Sequence, residues 1–450
     1  MINMAEKELK LYDSFLKNNQ IDNKYYDKYQ VKRGLRNQDG TGVMAGVTNI
    51  CNVHGYIVNE GEKEPDEGEL TFRGYSIKEL INNVENEKRF GYEEIVYLLL
   101  SGELPSKEQL KQFNSLIDEN RQLPNDFFGD MILKAPSLNI MNKLSRSVLS
   151  LYSYDDCPDM ITPKHEIDTA ISVISKLPVI MVLAYYVKQS AYCGESMIMH
   201  PVIQGQSTAE TILSTLRKDR QFTDEEAKIL DVVLMLHAEH GGGNNSTFSC
   251  RVLSSSGTDP YSAYAAAIGS LKGPKHGGAN HKVSAMQRFI RDTVKNWNSD
   301  GEIIDCLRKI VNKEVFDKTG LIYGMGHAVY TLSDPRALIL KSNAEKMAKG
   351  TEFEAELKLI EKVEELSPMV FKEMKGDSKI ICANVDMYSG FVYKMLGIPE
   401  DLYTPLFAVS RMAGWSAHRF EELVSGRRII RPAYKSVTGR KEYISIDDRK

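Results

Sequence analysis

The sequence predicts a mostly α-helical, folded soluble protein with one small β-hairpin near its N-terminus. Three observations predict this. Apolar residues recur at helical spacing from Ile77 almost to the end of the chain. Helix starts are marked repeatedly by capping residues and by proline at the first helical position. Residues 48–72 break the pattern, with short β-type runs on either side of a loop rich in Glu, Gly and Pro.

The elements follow in order. Residues 6–17 pattern as an amphipathic helix, with Leu9, Leu11, Tyr12, Phe15 and Leu16 near one side. Within 48–72, the runs YIV at 56–58 and LTF at 70–72 read as the two arms of the hairpin. The most apolar stretch, 177–187, has Lys176 and Pro178 at its start. It is about half the length of a membrane span and reads as a buried helix. TDEE at 223–226 is a capping box before the apolar run 229–236. Asp259-Pro260 and Asp334-Pro335 each place a capping Asp before a first-turn proline, and Thr404-Pro405 predicts the same for a helix running to Val424, with Gly426 beyond it. Residues 443–446 (YISI) predict a last short strand.

Composition narrows the function classes. The chain has 450 residues, enough for two or three domains, with 42% hydrophobic and 26% charged residues. Its 57 basic and 61 acidic residues give a formal charge of −4, which argues against a nucleic-acid or anionic-membrane partner. The first ten residues carry charges where a signal peptide has an apolar stretch, so a cytoplasmic location is expected. Cys51, Cys157, Cys193, Cys250, Cys306 and Cys382 are far apart with no CxxC pair, which predicts free thiols rather than disulfides or structural zinc.

Several polar motifs stand out. LHAEHGGGNNS at 236–246 puts His237 and His240 three apart, on one helix face, before glycines that end the helix. A metal site lacks a recognisable third ligand, and two histidines capping carbonyls is the better reading on spacing alone. GPKHGGAN at 273–280 is either a loop holding His276 in a defined tautomer or a plain corner between helices. YGMGHAVYTLSDPR at 323–336 places His327 after a glycine pair and Arg336 in the first turn of a helix. A guanidinium there offers a fork for a carboxylate, or pairs with a nearby surface Asp. ANVDMYSG at 383–390 puts Asp386 near a helix start, where an isolated Asp is usually an N-cap. FAVSRMAGW at 407–415 buries Arg411 in an apolar helix, which requires a partner. RRIIRP closes the series at 427–432.

In combination and order, LHAEH, GPKHGGAN, GHAVY..DPR, NVD.YSG and LFAVSR..GW.AH closely resemble the citrate synthase family, from LTFRGYSIKEL near residue 70 to RIIRP near 430. The resemblance implies an almost all-α fold of two helical domains, large (1–277 and 391–450) and small (278–390). It implies condensation of acetyl-CoA with oxaloacetate, then thioester hydrolysis, with no cofactor and no metal. By the resemblance, His276 donates to the thioester oxygen, Asp386 removes the α-proton, and His327 protonates the ketone oxygen. His240, Arg336 and Arg411 bind oxaloacetate, Phe407 lines the pocket, and Arg431 reaches in from the other subunit of a homodimer. His237 stands behind this set. Ile322, Tyr323, Gly324, Met325 and Gly326 approach the CoA adenine through their backbone.

The chain departs from many relatives at Ala328, where they carry Arg, and at Thr331, where they carry a basic residue, so the family's CoA phosphate contacts do not carry over at these positions. Gly241 and His281 each replace a Glu common among relatives. The alternatives are a 2-methylcitrate synthase using propionyl-CoA, a non-catalytic helical relative, and a lyase working with an ATP-dependent partner. The intact His276, His327 and Asp386 speak against the second, and the lack of a nucleotide-triphosphate motif speaks against the third.

Overall fold

A computed structural model describes residue 15 and residues 17–37, 40–60, 62–376 and 380–449. The helix expected at 6–17 lies almost wholly outside these. Contacts divide the chain into two compact units: Gly46–Ile429, and the terminal segments Met1–Ala45 with Ile430–Lys450. The terminal unit holds a short helix, Lys24–Lys28, and a 3-10 turn, Arg33–Leu35. Residues 443–446 form no strand; a 3-10 turn at Ile446–Asp448 stands near them. Their alternating pattern finds no sheet edge to pair with, and an unpaired strand is not stable in water.

The larger unit is helical around two long elements. Helix Pro163–Cys193 starts at Thr162, whose side chain accepts from His165 N, and ends at Gly194 in the left-handed region. It therefore begins well before the apolar run and passes through Pro178, which a helix tolerates when packing on all sides holds it. It is long and apolar enough to cross a membrane, yet 83% of its most apolar window is buried inside the protein. It packs against helix Tyr403–Ser425. Arg419 on that second helix makes a two-pronged, buried ion pair with Glu166 on the first, at 2.7 Å on each prong.

The capping signals place most helix starts correctly. Thr223 and Glu226 form a reciprocal capping box, and Asp259 and Asp334 cap helices Pro260–Leu271 and Pro335–Ala348. Each such cap contributes about 1 kcal/mol. Thr404 is the exception. Its helix already begins at Tyr403, and its hydroxyl donates instead to Gly277 O at 3.0 Å. Helix Asp224–His237 also differs from expectation, because it stops at His237 and leaves His240 in the loop beyond.

The buried apolar side chains form two clusters. The larger fills the body of Gly46–Ile429. The smaller joins helices Ala279–Thr293, Asp300–Val311 and Glu354–Lys375 through residues such as Met286, Ile303, Leu307 and Val363. The predicted hairpin forms from antiparallel strands Cys51–Asn59 and Glu62–Phe72, with a short third strand at Tyr75–Ser76.

The hairpin grips the segment that carries His327 and Arg336. Thr331 Oγ1 bonds to Gly55 O and accepts from Asp66 N at 3.1 Å, while Gly68 N donates to Ser333 Oγ at 3.1 Å. The fit is close: a Cβ on Gly68 would stand 2.0 Å from Ser333 O, and one on Gly55 would stand 2.6 Å from Tyr330 Cα. Backbone on both sides leaves no flexible group to give way. Gly68→Ala should therefore destabilise the protein by roughly 1–3 kcal/mol, seen as a lower Tm in a thermal melt; an unchanged Tm would mean that the hairpin can slide off this segment freely.

Candidate active site

The polar motifs meet where helices end. Past the end of helix Asp224–His237, Glu239 and His240 turn inward, and both are buried. His240 Nε2 lies 3.1 Å from the Tyr330 hydroxyl, and its ring meets that of His327 edge-on with centroids 5.2 Å apart. The His327 ring stacks on Tyr330 at 4.6 Å, and its Nδ1 accepts from the backbone N–H of Val329 (3.1 Å) and Tyr330 (3.2 Å). With Nδ1 so engaged, the neutral ring carries its proton on Nε2.

Two arginines reach this group in different states. Arg336 is buried and bound by both prongs to Asp334, at 3.0 and 2.8 Å. The pairing with a nearby Asp is real, but it is buried rather than on the surface. Arg411 is fully buried in helix Tyr403–Ser425, with its guanidinium carbon 4.7 Å from the Phe407 ring centre. Its Nε donates to His237 O at 2.7 Å, while Nη1 and Nη2 have no protein partner. Burial pulls its pKa down to about 10, against the opposing charge of Glu239. The His237 ring lies 4.4 Å from Phe407. Burial, then the charges of Arg336 and Arg411, hold His237 well below the usual histidine range. Burial and Arg336 also lead the causes that hold His240 far down. Both rings are neutral at pH 7.

Asp386 opens helix Asp386–Met395 but caps nothing; its own N–H donates to Asn384 Oδ1 at 3.0 Å. Burial pushes its carboxyl up to about 6, although Arg336 pulls the other way. A carboxylate with raised pKa, poised near neutrality in an enclosed position, suits proton abstraction. His276 lies in the turn before helix Ala279–Thr293, with Nε2 3.0 Å from Ser246 Oγ, which also accepts from Trp415 Nε1 at 3.2 Å. Burial lowers His276 to about 4, with Arg411 adding to the effect, so this ring is also neutral.

His240, His327, Arg336, Arg411, Phe407, Asp386 and His276 thus belong to one connected set. Arg431 lies in the terminal unit, exposed, on irregular backbone. In the expected CoA segment Ile322 is buried and the Tyr323 hydroxyl donates to Asp317 at 2.7 Å. Met325 pairs with Ala383 in an isolated bridge, and Gly324 and Gly326 adopt φ of +86° and +87°. Thr331 turns its hydroxyl to the hairpin. Among the described residues no three His, Cys, Asp or Glu side chains stand together as a metal-ion site.

Several participants escaped the sequence reading. Tyr330 was passed over inside a motif read for its His and Arg, and Asp334 was read as a helix cap but not as the buried partner of Arg336. Glu239 is buried against His418, with Oε1 3.0 Å from His418 Nε2 and 2.5 Å from Gly241 N. Burial raises its pKa, but His418, Arg411 and the Gly241 N–H outweigh burial and hold the carboxylate at about 2. His418 Nδ1 in turn accepts from Arg251 at 2.6 Å, and Arg251 pairs with Glu421 and Glu422. The available signal was a charged residue inside each of two otherwise apolar runs.

Known proteins resemble this chain over most of its length. The family described as "Citrate synthase, C-terminal domain" matches residues 37–433. The citrate synthase of Synechocystis is 33% identical over 410 residues, 90% of each chain. The 2-methylcitrate synthase 1 of Corynebacterium glutamicum is 31% identical over 426 residues, 93% of this chain and 99% of that one. A crystal structure of citrate synthase from Thermoplasma acidophilum, in a ternary complex with carboxymethyl coenzyme A and oxaloacetate, superposes with a TM-score of 0.74 at 27% identity, covering 93% of this chain and 99% of that one.

The raised Asp386 has a consequence for stability. Its native carboxyl holds a proton to about pH 6, whereas an unfolded Asp releases it near 3.8. Between those values the native state binds more protons, so stability falls as pH rises, by on the order of 3 kcal/mol in all. Asp386→Asn should therefore melt at a higher temperature than wild type at pH 7.5, and the gain should vanish by about pH 4. Equal Tm values at pH 7.5 would show that the carboxylate is not strained by its burial.

Proposed function

This chain belongs to the citrate synthase family, and on that premise we propose how its residues divide the work of condensing a short acyl-CoA with oxaloacetate and hydrolysing the product thioester. The observation that carries the reading is Arg411, a fully buried guanidinium whose Nη1 and Nη2 have no protein partner. A buried planar fork that the protein leaves unpaired is complementary to a carboxylate.

Oxaloacetate brings two carboxylates. Arg411, Arg336 and His240 receive them, the partner subunit's Arg431 completes the set in a homodimer, and Phe407 closes one wall. The thioester α-proton is too weakly acidic for a free carboxylate, so the enolate must be stabilised as it forms. His276, a neutral ring with Nε2 3.0 Å from Ser246 Oγ, donates a hydrogen bond to the thioester oxygen. Asp386 takes the α-proton. The enol carbon attacks the oxaloacetate ketone, and His327 Nε2–H gives its proton to the ketone oxygen, which becomes the hydroxyl. Water then attacks the thioester carbonyl and CoA leaves as the thiol. The arginines supply the positive charge and the neutral histidines supply N–H donors, so the reaction as written uses no cofactor or metal. Closure of a small domain at 278–390 would exclude water during enolisation. The smaller hydrophobic cluster, all of it within that span, supports such a body.

The acyl group is the second question. Resemblance to a 2-methylcitrate synthase at 31% identity favours testing propionyl-CoA beside acetyl-CoA, since one methylene alters discrimination by only about 1–3 kcal/mol. The assay is colorimetric thiol release with oxaloacetate and either thioester. Oxaloacetate-dependent release is expected, and the ratio of kcat/KM values names the acyl group. The acid limb of kcat should fall near pH 6, where Asp386 protonates. Asp386→Gly should fold and dimerise yet lose most turnover; near-normal turnover would remove Asp386 as the base. Light scattering at the mass of a single chain would count against the homodimer.

A further inference from the structure

The two groups that would move protons sit on separate segments, His327 in a loop and Asp386 at a helix start, and one side chain joins those segments. Their backbones already pair. Gly326 N donates to Cys382 O at 2.7 Å and Asn384 N to Gly324 O at 2.8 Å, on either side of the Met325–Ala383 bridge. The approach is tight enough that a Cβ on Gly324 would stand 3.2 Å from Met387 Cα. Across this junction the Asn384 amide is used at both ends. Its Nδ2 donates to Gly326 O at 2.9 Å, and its Oδ1 accepts from Asp386 N at 3.0 Å. Gly326 is the residue before His327. One planar group therefore holds the backbone beside the proton donor and the backbone of the base.

An Asn two residues before a helical N–H is common as a simple turn at a helix start. That accounts for Oδ1 alone. The Nδ2 bond reaches a carbonyl 58 positions earlier in the chain and contributes nothing to starting helix Asp386–Met395. Only a side chain with a donor and an acceptor at fixed separation makes both bonds. A carboxylate offers acceptors only and would face Gly326 O unfavourably.

We propose that Asn384 is a positioning residue, which sets the separation between the Asp386 carboxylate and the His327 ring at which the carbon–carbon bond forms. It touches neither reactant, and its role rests on the condensation described above. Misplacing a reacting group by about 1 Å can cost roughly a hundredfold in rate. The ligands for oxaloacetate, by contrast, stand on other elements and stay in place.

The test uses the full chain carrying Asn384→Ala or Asn384→Asp in the thiol-release assay. Wild-type turnover, measured alongside, checks the condensation itself. Asn384→Ala should lower kcat roughly 10- to 100-fold and leave KM for oxaloacetate within about twofold. The isotope effect with methyl-deuterated acetyl-CoA should rise, because proton removal becomes slower. Asn384→Asp should shift the acid limb to higher pH, since a second carboxylate beside Asp386 disfavours its ionisation. A kcat for Asn384→Ala within about twofold of wild type would overturn the proposal. So would a rise in KM that matches the loss in kcat with no change in isotope effect. If Asn384→Ala melts below the assay temperature, the near-isosteric Asn384→Asp decides the matter, and an acid limb identical to wild type would overturn the proposal.

Discussion

Arg411 lies at full burial, with one N–H bonded to a carbonyl and two terminal nitrogens left over. An isolated charge in that position costs several kcal/mol, so its surroundings must answer for it. Glu239, equally buried, supplies the opposing charge. Glu239 is itself held by His418 and the Gly241 N–H, His418 by Arg251, and Arg251 by Glu421 and Glu422. A connected line of hydrogen bonds and ion pairs therefore runs from Glu239, the opposing charge to Arg411, out to Glu421 and Glu422. This explains why helix Tyr403–Ser425, rich in apolar residues at its buried positions, also carries Arg411 and His418 there.

The pocket keeps its two arginines unlike. Arg336 enters it already satisfied by Asp334, whereas Arg411 has an open fork. Around them His237, His240 and His276 are kept neutral by burial and by those same arginines. A neutral imidazole carries one N–H and one lone pair, so each ring can be aimed by the partner on its other nitrogen, as the backbone does for His327.

Much of this was legible in the sequence, for reasons that differ by element. Capping is local chemistry, so Thr223, Asp259 and Asp334 marked their helices without any knowledge of packing. Thr404 carried the same signal and failed, because Gly277 from a distant segment takes its hydroxyl. Residues 443–446 had a strand pattern but no neighbour to pair with. His237 and His240 were spaced for one helix face, yet the helix ends between them. The hidden partners were those defined by tertiary contact. Glu239 faces His418 across 179 positions, and nothing local to either residue announces the pair. The motifs named the groups that would meet the reactants, and the structure adds the groups that hold them.

The hairpin at Cys51–Asn59 and Glu62–Phe72 clasps a loop far downstream, with Gly68 and Ser333 separated by 265 positions. During synthesis the hairpin leaves the ribosome long before its partner exists, and domains build from the N-terminus at about 5–20 residues per second. For that interval its inner edge, with Gly55 and Gly68 bare of side chains, has nothing to hold. Closing so long a loop also carries an entropic cost that later contacts must offset. The reactive loop can therefore lock only as a late event in folding. A chain interrupted before residue 336 lacks both arginines of the site and helix Tyr403–Ser425, and so never assembles it.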